Sequence, residues 1–303
     1  MKAVAGVTIT NSDKVWWPDD GITKLEIAEH YARCAGRALP WIADRPLTVE
    51  RCPDGMRGHC FYQKNFANAA KFGFDTRPVY ARTVRRMLHY PVAGDARTLV
   101  VLVNLGALSL HVMGCRASSL DRPDWLAFDL DPAERFADAA RAALVLREVL
   151  GEAGLRGYPK TTGGKGLHVV VPLQPGPSHA DVLAFAERLA ERMIERAPRL
   201  VTLSFAKRGR GGRVYLDIRR NVFGATLVAP YSVRRRPHAP VSTPLTWDEV
   251  QPELDPASLN VRTLPARLAH RDPWRDASTD RQRLPTDSSA PARYRRAPAA
   301  GSP

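Results

Sequence analysis

Trp125-Leu126-Ala127-Phe128-Asp129-Leu130-Asp131, followed by Pro132, is the stretch from which the rest of this chain is read. Seven residues rich in large apolar side chains predict a buried strand. Side chains alternate faces along a strand, so Phe128 and Leu130 point into a core while Asp129 and Asp131 project together from the other face. Two carboxylates within about 7 Å repel each other unless a cation intervenes, which points to a hard divalent metal ion. The same letters also fit a solvated strand end in which Asp131 caps a helix next to Pro132.

Around this strand the pattern alternates. Residues 136–150 and 180–197 carry apolar side chains at helical spacing. Residues 155–159 predict a short strand, and Leu167–Leu173 a clear one after a glycine-rich turn. Residues 213–218 and 226–229 predict two more strands joined by a loop or hairpin. Interleaved helices and strands give an α/β (α+β) fold around a central sheet. Upstream, Thr23-Lys24-Leu25-Glu26 reads as a capping box opening a helix that stops before Pro40. Leu47–Arg51 predicts a strand ended by the turn Cys52-Pro53-Asp54-Gly55, residues 57–96 are loop-rich, and residues 98–111 carry leucines at helical spacing. Residues 276–303 hold almost no apolar side chains and predict a disordered tail or linker.

The chain has 303 residues with 45 Lys+Arg against 31 Asp+Glu, a balance of +14 that favours a polyanionic partner. Arginine outnumbers lysine 37 to 8, so the charge also fits an arginine-rich composition without such a partner. Where arginine is the default cation, Lys14, Lys24, Lys64 and Lys165 mark places suited to a compact ammonium. Cys34, Cys52, Cys60 and Cys115 are scattered without a C-x-x-C spacing and are expected to be free thiols in a reducing compartment. With no apolar run of membrane-spanning length and no leader pattern, a soluble cytoplasmic protein without a membrane partner is expected.

Two further segments carry chemistry. Thr161-Thr162-Gly163-Gly164-Lys165-Gly166-Leu167-His168 places glycines, hydroxyls and one lysine where backbone N–H groups can approach an anion. It lacks Walker A spacing, and a strand rather than a helix follows. A flexible hairpin turn and a structural His168 are the plainer alternatives. Asp217, in Arg213-Val214-Tyr215-Leu216-Asp217-Ile218, lies on the face opposite Val214, Leu216 and Ile218. Brought beside Asp129 and Asp131 it completes three carboxylates, a set suited to two Mg2+ or Mn2+ ions in phosphoryl transfer.

Taken in order, F-D-L-D-P, T-G-G-K-G-L-H and V-Y-L-D followed by T-L-V-A-P-Y-S-V-R resemble the polymerase domain of bacterial DNA ligase D, in the archaeo-eukaryotic primase superfamily. N-S-D-K-V-W-W-P, I-T-K, F-Y-Q-K-N and L-H-V extend the likeness over roughly residues 8–270. The resemblance implies a primase-polymerase fold, with an N-terminal module over about 1–120 and an RRM-like catalytic module over about 121–275. It implies a template-dependent DNA-directed nucleotidyltransferase using two Mn2+ or Mg2+ ions, filling short gaps and extending ends in nonhomologous end joining. Ribonucleotides are expected to serve at least as well as deoxynucleotides. Gapped, nicked or overhanging DNA and nucleoside triphosphates are the implied ligands, with Ku and a separate ATP-dependent DNA ligase as partners. Gap filling in excision repair, primer synthesis, a DNA-end-binding module without activity and a metal-dependent nuclease are the alternatives.

The likeness also implies roles. Asp129, Asp131 and Asp217 match metal ligands. Thr162, Gly164, Lys165, His168, His111, Arg210 and Arg234 match the nucleotide pocket, and Lys14 with Lys24 a site for the 5′-phosphate across a gap. Phe61 and Tyr62 match aromatics that pack on DNA bases, with Arg51 and Lys64 beside them. This sequence departs from the pattern at Thr162, where serine is usual, at Glu50, and at Ile218-Arg219-Arg220, which replaces Trp-Ser-Gln. The loop at residues 82–86 is short, and no K-x-D-G motif is present, so no ligase domain is expected in this chain.

Overall fold

The alternation read from Trp125–Asp131 places that strand third in a five-stranded sheet of the computed structural model, which describes residues 2–270 and 272–285. The order is Tyr158–Thr161, Leu167–Pro172, Trp125–Asp131, Val214–Asp217 and Val201–Thr202, antiparallel except for the final pair. Leu126, Phe128 and Leu130 are fully buried against the helices Phe136–Glu152 and His179–Arg196, through Ala143, Leu146, Leu189 and Met193. On the opposite face Trp125 and Ala127 enter a second core with Trp16, Leu47, Val49, Leu110 and Val112. Asp129 and Asp131 continue that face, and there it opens into a cleft instead of a core.

The far wall of the cleft is a second, antiparallel sheet, ordered Thr226–Val228, Ala107–Met113, Leu47–Arg51 and Phe61–Gln63. Residues 213–218 and 226–229 therefore do not form a hairpin: one strand lies in each sheet. Thr226–Val228, far beyond the expected module boundary at residue 120, pairs with Ala107–Met113 and places Val228 opposite His111.

Other expectations change for local reasons. The first helix carries its Thr23–Glu26 capping box but runs through Pro40, covering Lys24–Ile42. A proline in the last turn forfeits one backbone bond, and burial of Trp41 and Ile42 offsets the loss. Residues 98–111 are not one helix. A helix, Ala96–Asn104, starts at the Asp95 cap and ends near Gly106, whose φ of 95° only glycine adopts readily, and a strand follows. Residues 57–96 contain an antiparallel hairpin, Thr76–Ala81 with Arg86–Pro91. Cys52 and Cys60 are not free thiols but a disulfide, their Cα atoms brought to 4.4 Å by the turn at Cys52–Gly55. Cys34 and Cys115 are free and buried, so the cysteine pattern does not by itself point to a reducing compartment. The first residues of the expected tail are ordered instead: Ala277 is buried and the Asp280 carboxylate accepts from Tyr158 and Arg156. The remainder of that tail, residues 286–303, lies outside the described residues. No helix among the described residues is long and apolar enough to cross a membrane.

A buried ion cluster ties the two sheets together. Arg45, just past the first helix, reaches Asp124 at 2.6 Å and lies over the Trp125 ring, while Arg116 reaches the other Asp124 oxygen at 2.9 Å. Asp124→Ala leaves the Arg45 guanidinium, only 1% exposed, without its counter-charge. A loss of about 3–5 kcal/mol is expected, read as a lower urea midpoint at unchanged slope.

Candidate active site

One cross-strand row defines the site. Lys160, His168, Asp129 and Asp217 are successive Cα partners across four neighbouring strands, so their side chains share one face. Asp131 lies two residues along, opposite Tyr215. Asp129 Oδ1 approaches His168 Nε2 at 3.2 Å without a hydrogen bond, and Asp129 Oδ2 accepts from Arg220 Nε at 3.1 Å. The same Nε lies 3.1 Å from Asp217 Oδ2, so Arg220 crosses between the two facing carboxylates. Asp217 Oδ1 accepts from the Arg219 backbone N–H.

Burial sets the charges in this row. It pushes His168 down to about 4, with Lys160 adding repulsion against the pull of Asp129. Burial also drives Lys160 well below the usual lysine range, and its Nζ donates to Ser242 Oγ at 2.6 Å. Burial opposes ionisation of Asp129, but the nearby His168, Arg220 and Lys160 outweigh it and hold that carboxyl low. Asp131 is less well supported, since Arg220 and Arg210 pull it down only in part. Burial first, and then the Asp129 charge, push it up to about 6.

The glycine turn ends directly at this row. Thr162 N–H bonds to the Gly166 carbonyl, closing the turn ahead of His168. Gly163 has a φ of 66°, and a Cβ at Gly166 would stand 2.8 Å from the Leu130 carbonyl oxygen, so both positions require glycine. Lys165 is exposed at the tip and donates to the Ala133 carbonyl. Arg234 Nη1 holds the Thr162 carbonyl at 3.0 Å, while its buried Nε has no partner.

Together these groups line a cleft of about 560 Å3. It gathers Asp129, Asp131, Thr162, Gly164, Lys165, His168, His111, Arg234, Tyr62 and Lys64 of the residues expected from sequence. His111, from the opposite sheet, stacks edge-on to Tyr62 at 5.6 Å; burial and then the Arg234 charge lower it to about 3, so its ring is neutral at physiological pH. Asp217 adjoins the cleft through Arg220, and Arg210 lies over the Tyr215 ring at 4.4 Å on the Asp131 side. Phe61 lies on the same edge strand as Tyr62, with the Arg51 guanidinium 5.5 Å from its ring.

Lys14 and Lys24 sit apart from this cleft but beside one another, joined by a backbone bond from Lys24 N–H to the Lys14 carbonyl. Lys24 Nζ is buried and donates to Thr10 O, Thr10 Oγ1 and Asn104 O; burial and then the Lys14 charge lower it to about 8. Lys14 pairs with Asp54 at 2.6 Å at the surface. Sequence reasoning missed Lys160, Arg236 and the bridging contact of Arg220. Lys160 and Arg236 carried no motif, whereas Arg220 stood in the noted departure after Asp217.

Asp129, Asp131 and Asp217, on two neighbouring strands, are hard oxygen donors of the kind a divalent cation takes, but among the described residues they do not stand gathered as a ready-made set. Asp129 Oδ1 is buried without a hydrogen bond, which fits such an ion.

Comparison with known proteins gives a consistent answer. The family model for the LigD primase-polymerase domain matches residues 23–274. The multifunctional non-homologous end joining protein LigD of Pseudomonas aeruginosa is 35% identical over 292 residues, covering 93% of this chain and 34% of that protein. The bifunctional LigD of Bacillus subtilis is 32% identical over 263 residues, 86% of this chain and 42% of its own length. The chain thus spans about a third of the P. aeruginosa relative and 42% of the B. subtilis one. The polymerase domain of Mycobacterium tuberculosis ligase D, solved in complex with DNA, superposes with a TM-score of 0.83 at 34% identity, covering 91% of this chain and 99% of that one.

The Asp131 shift has a definite sign in metal-free protein. Its folded pKa of about 6 lies above the ordinary 3.8, so ionisation costs stability as the pH rises through that interval. Asp131→Asn is expected to be more stable than the parent at pH 7.5, by on the order of 1–2 kcal/mol. The advantage should vanish near pH 3.5; urea melts in a chelator at the two pH values check it.

Proposed function

The chain belongs to the LigD primase-polymerase family, and on that premise we propose that it fills short gaps and extends DNA ends by template-dependent nucleotidyl transfer during non-homologous end joining. The observation that carries the reading is the junction of an anion-cradling turn with a carboxylate rim: His168 ends the turn and is the ladder partner of Asp129. Nucleotidyl transfer needs a triphosphate held in line beside a site that collects positive charge.

Lys165, Arg234 and the turn N–H groups hold the triphosphate. Neutral His168 and His111 donate or accept hydrogen bonds without adding charge. Asp129, Asp131 and Asp217 hold the divalent ions, Mn2+ or Mg2+. When bound, these ions lower the pKa of a primer 3′-hydroxyl and neutralise charge building on the pyrophosphate. Tyr62 and Phe61, exposed on the edge strand beside the cleft, offer flat faces on which bases stack, with Arg51 and Lys64 alongside. Arg210 extends the basic rim. Ribonucleotides are accepted at least as well as deoxynucleotides. Ku and a ligase that seals the filled gap are the proposed partners.

Lys14 is the accessible half of the 5′-phosphate site. Lys24 stands behind it, its ammonium committed to three oxygens of the fold. A terminal phosphate carries more charge than an internal one, so it draws Lys14 away from Asp54.

Two outcomes test this reading. Asp129→Ala should abolish primer extension, by at least about a thousandfold, while gapped DNA is still retained in a gel-shift assay. Near-normal extension by that variant contradicts the assignment. Lys14→Ala should remove a preference of about tenfold for 5′-phosphorylated over unphosphorylated gaps, measured by fluorescence anisotropy at physiological salt. Equal binding of both gaps by the parent protein contradicts the phosphate site.

A further inference from the structure

Arg220 takes one oxygen from each of two facing carboxylates, Asp129 Oδ2 and Asp217 Oδ2, both at 3.1 Å from its Nε. These are the oxygens through which the two strands would share a divalent cation. Among the described residues, no three His, Cys, Asp or Glu side chains stand gathered to hold a metal ion, and the guanidinium fills the space between two of the three aspartates.

The backbone around Arg220 is pinned, whereas its side chain borders open cleft. The short turn Arg219–Asn221 is stapled to the central strand by Asn221, whose side chain accepts from Ala127 N–H and donates to Ala127 O and Ile218 O, each at 2.8 Å. The Arg220 side chain is 36% exposed and borders the same cleft as Lys165, Arg234 and Arg236. A rotamer change therefore carries the guanidinium from the carboxylates into a basic cleft suited to an anion, without moving the sheet.

We propose that Arg220 is a displaceable internal counter-ion that competes with the divalent cation for Asp129 and Asp217. The proposal rests on the metal-binding role of these aspartates given above. While Arg220 spans the pair, repulsion between the facing carboxylates is relieved and the folded sheet is stable without metal. The ion binds only to the fraction of molecules in which Arg220 has swung away, so its apparent affinity is reduced by that fraction. A bound triphosphate offers the displaced guanidinium a new partner, which favours metal binding once nucleotide is present.

The test is calorimetric titration of the whole chain with MnCl2 alone, without nucleotide or DNA. Arg220→Gln and Arg220→Met both remove the competitor and should bind Mn2+ about tenfold more tightly than the parent. Arg219→Gln, which removes the neighbouring charge from the same turn, should bind as the parent does. In chelator, Arg220→Gln should melt below the parent, and Mn2+ should raise its melting temperature by the larger amount. Neutral Arg220 variants that fold but bind Mn2+ no tighter overturn the proposal. So does an equal gain from Arg219→Gln, which would reduce the effect to overall charge. Primer extension by the parent protein reports separately on the polymerase reading. A parent that extends primers while the Arg220 variants gain no affinity removes only the role given to Arg220.

Discussion

Asp129 and Asp217 face each other across an antiparallel ladder, and almost every other feature of the cleft answers the charge they bring together. Like charges directly opposite on neighbouring strands destabilise a sheet, the more so when water is largely excluded. Burial works against the nearest basic groups, since His168 and Lys160 are both driven toward their neutral forms. Arg220 retains its charge, raised in pKa by the two aspartates against the opposing effect of burial. The sheet thus carries a concentrated anionic centre with the Arg220 guanidinium across it.

The fold explains how such a centre is tolerated. Phe128 and Leu130 anchor the central strand against two helices, while Trp125 and Ala127 anchor its other face against the first core. The strand is held on both sides before it reaches Asp129, so repulsion between the carboxylates cannot easily part it from its neighbours. Part of the cost falls on protonation instead: burial first, and then the Asp129 charge, raise the pKa of Asp131. The second sheet adds His111, Thr48 and Tyr62 as an opposing wall, which makes the rim a cleft of nucleotide size.

Much of this was legible in the sequence because it depends on local alternation. The central strand keeps the bounds read from its letters, the capping box lies at Thr23, and the glycine turn closes ahead of His168. What the letters concealed is long-range. Nothing near residue 226 states that the chain has crossed to the other sheet, and nothing near Cys52 states that Cys60 lies within bonding distance. The leucines at 99, 102, 105 and 108 keep helical spacing through a glycine that ends the helix, so periodicity alone misled. At the site, the carboxylates and the turn were readable as motifs. Lys160 was not, because its place in the row follows from strand register. Lys24 was readable as a cation, but its three oxygen partners come from segments far apart in sequence.

The proposed activity requires the aspartate rim to seat divalent cations beside a triphosphate. Anomalous diffraction from crystals grown with MnCl2 and a non-hydrolysable ribonucleoside triphosphate tests this most directly. Manganese peaks about 2.1–2.3 Å from carboxylate oxygens of Asp129, Asp131 and Asp217, with the triphosphate against Lys165 and Arg234, are the predicted result. A triphosphate bound in the cleft with no manganese on these aspartates, or manganese bound elsewhere, would contradict it.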